Sequence, residues 1–123
     1  MNKTNKKILI AEDDKSLLSL LEDQLTEAGF SVVTAIDGEE GLALAEKEKP
    51  DLFLLDILMP KIDGITMAKK IKEADANALI IFLTNFDDIK HISSAIEVGN
   101  SDYLIKSDWK LEDIVKKVKA KLG

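Results

Sequence analysis

Four apolar residues in unbroken succession, Leu52-Phe53-Leu54-Leu55, begin just after Pro50-Asp51 and run straight into an acid, Asp56. A run this short is too brief for a buried helix. Its lack of alternation means that both faces are covered, which is the mark of a strand inside a parallel sheet. The run is not alone. Ile8-Leu9-Ile10-Ala11 and Leu79-Ile80-Ile81-Phe82-Leu83 have the same character, and Ser31-Val32-Val33-Thr34-Ala35 and Tyr103-Leu104-Ile105 are weaker versions of it. Four of the five end in polar residues: Glu12-Asp13-Asp14, Asp56, Thr84-Asn85 and Lys106.

Helical periodicity fills the gaps between the runs. Leu18, Leu21, Leu25 and Ala28 recur at three- and four-residue spacing and stop at Gly29. A second helix opens at Asp37, with Glu40 three residues on, carries Leu42 and Ala45, and ends near Glu48 before Pro50. A third runs from about Ile65 to Glu73. A fourth is marked by Ile89, Ile92 and Ile96 and capped by Gly99. A fifth carries the stripe Leu111, Ile114, Val115, Val118 and Leu122. Five buried strands alternating with five helices predict an α/β fold: a five-stranded parallel sheet, doubly wound as (βα)5, with strand order 2-1-3-4-5. In that order strands one and three lie side by side. Glu12, Asp13 and Asp56 then meet at the carboxyl ends of the strands, where ligands of open α/β sheets bind.

At 123 residues the chain is long enough for a single domain with a proper core. A hydrophobic share of 46% beside 33% charged residues is that of a soluble globular protein. The absence of cysteine excludes thiol chemistry and Cys-based metal sites. No apolar run reaches the roughly 18 residues of a membrane span, and the basic start, residues 1–6, leads into no apolar signal segment. A cytoplasmic protein without membrane contact is expected, with a basic tail at 1–6 and one domain over 7–123. A net charge of -6 argues against nucleic-acid binding by the domain. All 17 basic residues are lysines, so no bidentate arginine clamp exists.

Carboxylates gathered in one cleft repel one another, and raised pKa values, a lysine or a divalent cation must offset that. An oxygen-only ligand set suits a hard ion, Mg²⁺ or Mn²⁺. Thr84 and Lys106, also at strand ends, add a hydroxyl donor and an ammonium. This set suggests an aspartate nucleophile for phosphoryl transfer.

The ordered motifs Ile8 to Asp14, Asp56-Ile57-Leu58-Met59-Pro60-Lys61-Ile62-Asp63-Gly64, Leu83-Thr84 and Tyr103-Leu104-Ile105-Lys106 resemble a bacterial two-component response-regulator receiver domain across nearly the whole chain. The resemblance implies that Asp56 accepts a phosphoryl group from a sensor histidine kinase or phosphotransfer protein. It implies Mg²⁺ held by Asp13 and Asp56, by Glu12 mainly through water, and by the backbone carbonyl of Leu58. Lys106 and Thr84 would bind phosphoryl oxygens, and Tyr103 would be the aromatic switch that moves with Thr84. The output face would be helix four, strand five and helix five. It would meet a separate output protein, the chain being a monomer or a weak phosphorylation-dependent dimer. The chain would be no enzyme beyond loading and slow hydrolysis at its own Asp56.

The alternative is a metal-dependent phosphatase with an aspartate nucleophile. That class carries an acid/base two residues after the nucleophile, and Leu58 stands there. Asp14 reads as a helix cap, His91 as a solvated helix residue, Trp109 as a packing anchor, and Lys116, Lys117, Lys119 and Lys121 as the wet face of helix five. Ser107 follows Lys106 where the family usually has proline, so a trans peptide is expected there.

Overall fold

The computed structural model describes residues 5–84, 101–105 and 110–123, with only the backbone of Thr84, Ser101 and Ile105. Strands β1 (Lys7–Ala11), β2 (Ser31–Ala35), β3 (Leu52–Asp56), β4 (Leu79–Thr84) and β5 (Ser101–Ile105) form one sheet. Every pairing is parallel and the order is β2-β1-β3-β4-β5, as the sequence pattern predicts. The described helices are α1 (Lys15–Glu27), α2 (Gly38–Glu48), α3 (Gly64–Ala74) and α4 (Leu111–Leu122). The helix expected around Ile89 to Ile96 lies outside the described residues, as do His91 and Trp109.

The unbroken apolar runs acquire a simple explanation here. Successive side chains of a strand point to opposite faces. Leu9, Ala11, Phe53, Leu55, Ile80 and Phe82 therefore enter one core, under Ile65, Met67, Ala68 and Ile71 of α3 and beside Leu42 and Ala45 of α2. Ile8, Ile10, Leu52, Leu54, Ile81 and Leu83 enter the other, under Leu18, Leu21 and Leu25 of α1 and Ile114 and Val118 of α4. Each run serves two cores at once, so neither face can be polar.

Caps set the helix starts. Asp14 accepts from the N–H groups of Ser16 and Leu17 at 3.0 and 3.2 Å, which makes it the expected cap of α1. Asp37 accepts from Glu40 N–H at 2.8 Å, while the Glu40 carboxylate reaches back to Ile36 N–H at 3.0 Å. Asp63 accepts from Thr66 N–H at 2.8 Å and starts α3 one residue before the apolar pattern suggests.

Lys121 departs from the expected wet face. Its side chain is only 9% exposed and its ammonium pairs with Asp102 of β5 at 3.2 Å, which ties the last turn of α4 to that strand. Among the described residues, no helix is long and apolar enough to cross a membrane.

Candidate phosphoacceptor site

Register determines what meets at the carboxyl edge of the sheet. Ala11 pairs with Leu55, so the next residues along, Glu12 and Asp56, stand side by side. Asp56 in turn pairs with Leu83, and Thr84 with Ile105, which places the ends of β4 and β5 at the same edge. Two backbone bonds hold the exits of β1 and β3: Glu12 N–H to the Ala35 carbonyl at 3.0 Å, and Ile57 N–H to the Leu83 carbonyl at 3.1 Å.

Glu12, Asp13 and Asp56 each offer a carboxylate oxygen within 4.8 Å of the others. Glu12 is wholly buried and Asp56 4% exposed, whereas Asp13 is open to solvent. Asp14 N–H donates to Glu12 Oε2 at 3.1 Å and fixes that carboxylate against the start of α1. Three acids so close, two of them buried, are costly unless a cation shares the site. The donor set is oxygen throughout, and its solvent-facing member leaves a path for entry. It fits a hard divalent ion such as Mg²⁺, and it would be a poor site for a thiophilic one.

The segment after Asp56 doubles back on itself. Gly64 N–H donates to the Ile57 carbonyl at 2.8 Å, and a Cβ on Gly64 would lie 2.0 Å from the Asp56 carbonyl oxygen, a backbone atom that has nowhere to go. Only glycine permits this closure. Within the loop, Ile62 N–H donates to the Pro60 carbonyl at 2.9 Å across Lys61, whose φ is 71°. That is a γ-turn of the rarer, strained hand. Leu58, the residue expected to offer a carbonyl to the metal, belongs to this loop and leaves 46% of its surface exposed.

The other expected residues are placed less fully. Thr84 ends β4 at the acid edge. Tyr103 sits on the edge strand β5 and is 41% exposed, as a half-buried strand aromatic should be. Lys106 and the Lys106–Ser107 peptide lie outside the described residues. Sequence reasoning missed Gly38 and Lys61. Gly38 is buried at the first turn of α2, against the loop after β3, and its only signal in the sequence is a glycine where a helix start does not require one.

Comparison with known proteins agrees with this geometry. The family model for the response regulator receiver domain matches residues 8–119. The chain is 42% identical over 102 residues to the alkaline phosphatase synthesis transcriptional regulatory protein PhoP of Bacillus subtilis, covering 83% of this chain and 42% of that protein. It thus spans about two fifths of the length of such curated relatives. Among solved structures, a CheY-like receiver domain protein from Methanospirillum hungatei superposes with a TM-score of 0.89 at 28% identity, covering 97% of this chain and 94% of that one. The chemotaxis response regulator CheY4 of Vibrio cholerae gives 0.86 at 28%, with 96% and 99% covered. Four motifs in order, the strand order and the acid cluster converge on one conclusion: the chain belongs to the response regulator receiver domain family, the phosphorylation-dependent switches of two-component signalling.

Proposed function

We propose that this chain takes a phosphoryl group onto Asp56 from the phosphohistidine of a sensor histidine kinase or phosphotransfer protein. The observation that carries the reading is the convergence of Glu12, Asp13 and Asp56 at the carboxyl edge of the sheet. Glu12, Asp13, Asp56 and the Leu58 carbonyl hold Mg²⁺, with Mn²⁺ as a substitute. The ion supplies positive charge against the phosphoryl oxygens. A carboxylate oxygen of Asp56 bonds to phosphorus while the phosphorus–nitrogen bond to the donor imidazole breaks, and the electron pair leaves with the imidazole. Burial of Asp56 at the rigid end of β3 fixes the attacking oxygen in place, which contributes through orientation. Lys106 and Thr84 bind the transferred oxygens.

Phosphorylation draws the Thr84 hydroxyl inward and lets Tyr103 follow, biasing a pre-existing equilibrium on the face of β5, α4 and the segment around Ile89 to Ile96. A separate output protein, or a second copy in a weak dimer, reads that face. The domain, over residues 7–123, works in the cytoplasm, and the chain's net charge of -6 argues against nucleic-acid binding by the domain itself. The phosphatase reading lacks its acid/base, because Leu58 cannot transfer a proton.

The test is mass spectrometry after incubation with acetyl phosphate and Mg²⁺. One added phosphoryl group is expected in the parent and none in Asp56→Asn. An unmodified parent, or an Asp56→Asn chain that gains the same mass, would refute the assignment.

A further inference from the structure

We infer that Gly38, on a different element from every residue of the site, is a positioning residue for the metal-binding loop. The inference rests on the site reading above, in which the Leu58 carbonyl is a ligand. A Cβ on Gly38 would stand 2.0 Å from the Ile62 carbonyl oxygen, 2.8 Å from its carbon and 2.7 Å from the Ile62 Cβ. The loop 57–63 thus rests directly on the bare backbone of the first turn of α2. A second tie runs beside this contact: the Lys61 ammonium faces the Asp37 carboxylate at 3.7 Å, and that same carboxylate caps α2.

The loop needs such support. Its γ-turn at Lys61 uses a positive φ that a lysine adopts at a cost, and strained turns persist only where their surroundings over-determine them. At the far end, closure of Gly64 onto Asp56 and Ile57 fixes the loop to β3. Leu58 lies between these two anchors, so its carbonyl has little freedom while both hold. Filling the Gly38 side obliges the Ile62 peptide to move, because a backbone atom is what a Cβ would meet. That displacement passes along a closed loop to Leu58.

Gly41, one turn further along α2, provides the contrast. A Cβ there meets the terminal methyl of Met67 at 2.5 Å and its sulfur at 3.1 Å. These belong to a flexible side chain in the core beneath α2 and α3, and the loop is untouched.

The experiment compares the parent chain with Gly38→Ala, Gly41→Ala and Ile62→Gly. Calorimetric titration gives the Mg²⁺ dissociation constant, and thermal melts give stability. Gly38→Ala should weaken Mg²⁺ binding about tenfold, the scale seen when a residue supporting metal ligands is lost. Gly41→Ala should melt lower while keeping the parent's Mg²⁺ affinity. Ile62→Gly leaves the Ile62 carbonyl but strips its Cβ from the contact with Gly38 and loosens the loop backbone at that anchor, so it should also bind Mg²⁺ about tenfold more weakly; it decides the matter if Gly38→Ala does not fold. Unchanged Mg²⁺ affinity in Gly38→Ala, or in Ile62→Gly where that variant decides, overturns the inference, as does an equal loss in Gly41→Ala. A parent that shows no affinity for Mg²⁺ overturns the site assignment itself, and the inference falls with it.

Discussion

The two ends of the parallel sheet handle charge in opposite ways. At the amino ends of the strands, unlike charges meet. The Lys7 ammonium pairs with Glu48 Oε1 at 2.8 Å, the Lys7 N–H donates to Asp51 Oδ2 at 2.7 Å, and Asp51 N–H returns a bond to the Lys7 carbonyl at 2.8 Å. This ties the start of β1 to the end of α2 and the start of β3. At the carboxyl ends, Glu12, Asp13 and Asp56 bring like charges within 4.8 Å. One end pairs opposite charges; the other gathers like charges, a repulsion that a bound cation would relieve. The contrast marks the carboxyl edge as the place where local stability would be exchanged for binding, a common arrangement at functional sites.

The largest expected effect tests the end where like charges gather. Asp13→Ala removes one member of the cluster, so without metal the variant should melt above the parent. Adding Mg²⁺ at about one hundred times its dissociation constant should stabilise the parent by about 2.7 kcal/mol. For a chain of this size that corresponds to a rise of roughly 10 °C in Tm. The variant should lose most of that rise. Equal Mg²⁺-induced shifts in the two proteins would show that the acid cluster is not the metal site.

A smaller effect is expected at the end where opposite charges pair, and in the stabilising direction. Lys49 terminates α2 in the left-handed region at φ 48°, a position that glycine takes without steric cost. Lys49→Gly should stabilise the chain by about 0.5 kcal/mol, because relief of the backbone strain outweighs the added freedom of the unfolded state. Urea unfolding measures it, and the Mg²⁺-induced shift should stay as in the parent. A loss of stability would mean that the Lys49 side chain contributes more than its backbone costs.

How far the sequence carries such arguments depends on whether the cause is local. The central strands were legible because Leu52 to Leu55 and Leu79 to Leu83 must be apolar on both faces. The acid edge was legible because Glu12, Asp13 and Asp56 each follow such a run, and strand order then brings them together. Strand limits were less so. Hydrophobicity starts the fifth strand at Tyr103, but pairing of Ser101 with Ile80 and Asp102 with Ile81 starts it two residues earlier. The Asp102 carboxylate is tolerated there because Lys121 reaches it from α4, a contact between residues nineteen apart. The roles of Gly38 and Lys61 were hidden for the same reason. Each follows from one loop resting on another element, and neither leaves a periodic trace.

The last and smallest effect separates the two ends by pH. Beside Glu48, the Lys7 ammonium, first by its hydrogen bond and then by its charge, holds the carboxyl below the usual glutamate range. A carboxyl whose pKa is lower folded than unfolded adds stability above its unfolded value, and that stability is lost as pH falls through the folded value. The Lys7–Glu48 contribution should therefore be complete near neutrality and fade from about pH 4.5 downward. Lys7→Met keeps most of the apolar stem and the backbone bonds to Asp51 but removes the charge. Its Tm should sit slightly below the parent's at pH 7, within the range of an exposed ion pair, and the two curves should converge toward pH 3. Raising the salt concentration should narrow the gap at pH 7 in the same way, since the pair is partly open to solvent. If the gap between parent and variant is the same at pH 7 and pH 3, the pair's contribution is packing of the lysine stem, and the amino end of the sheet owes its stability to shape rather than to opposed charge.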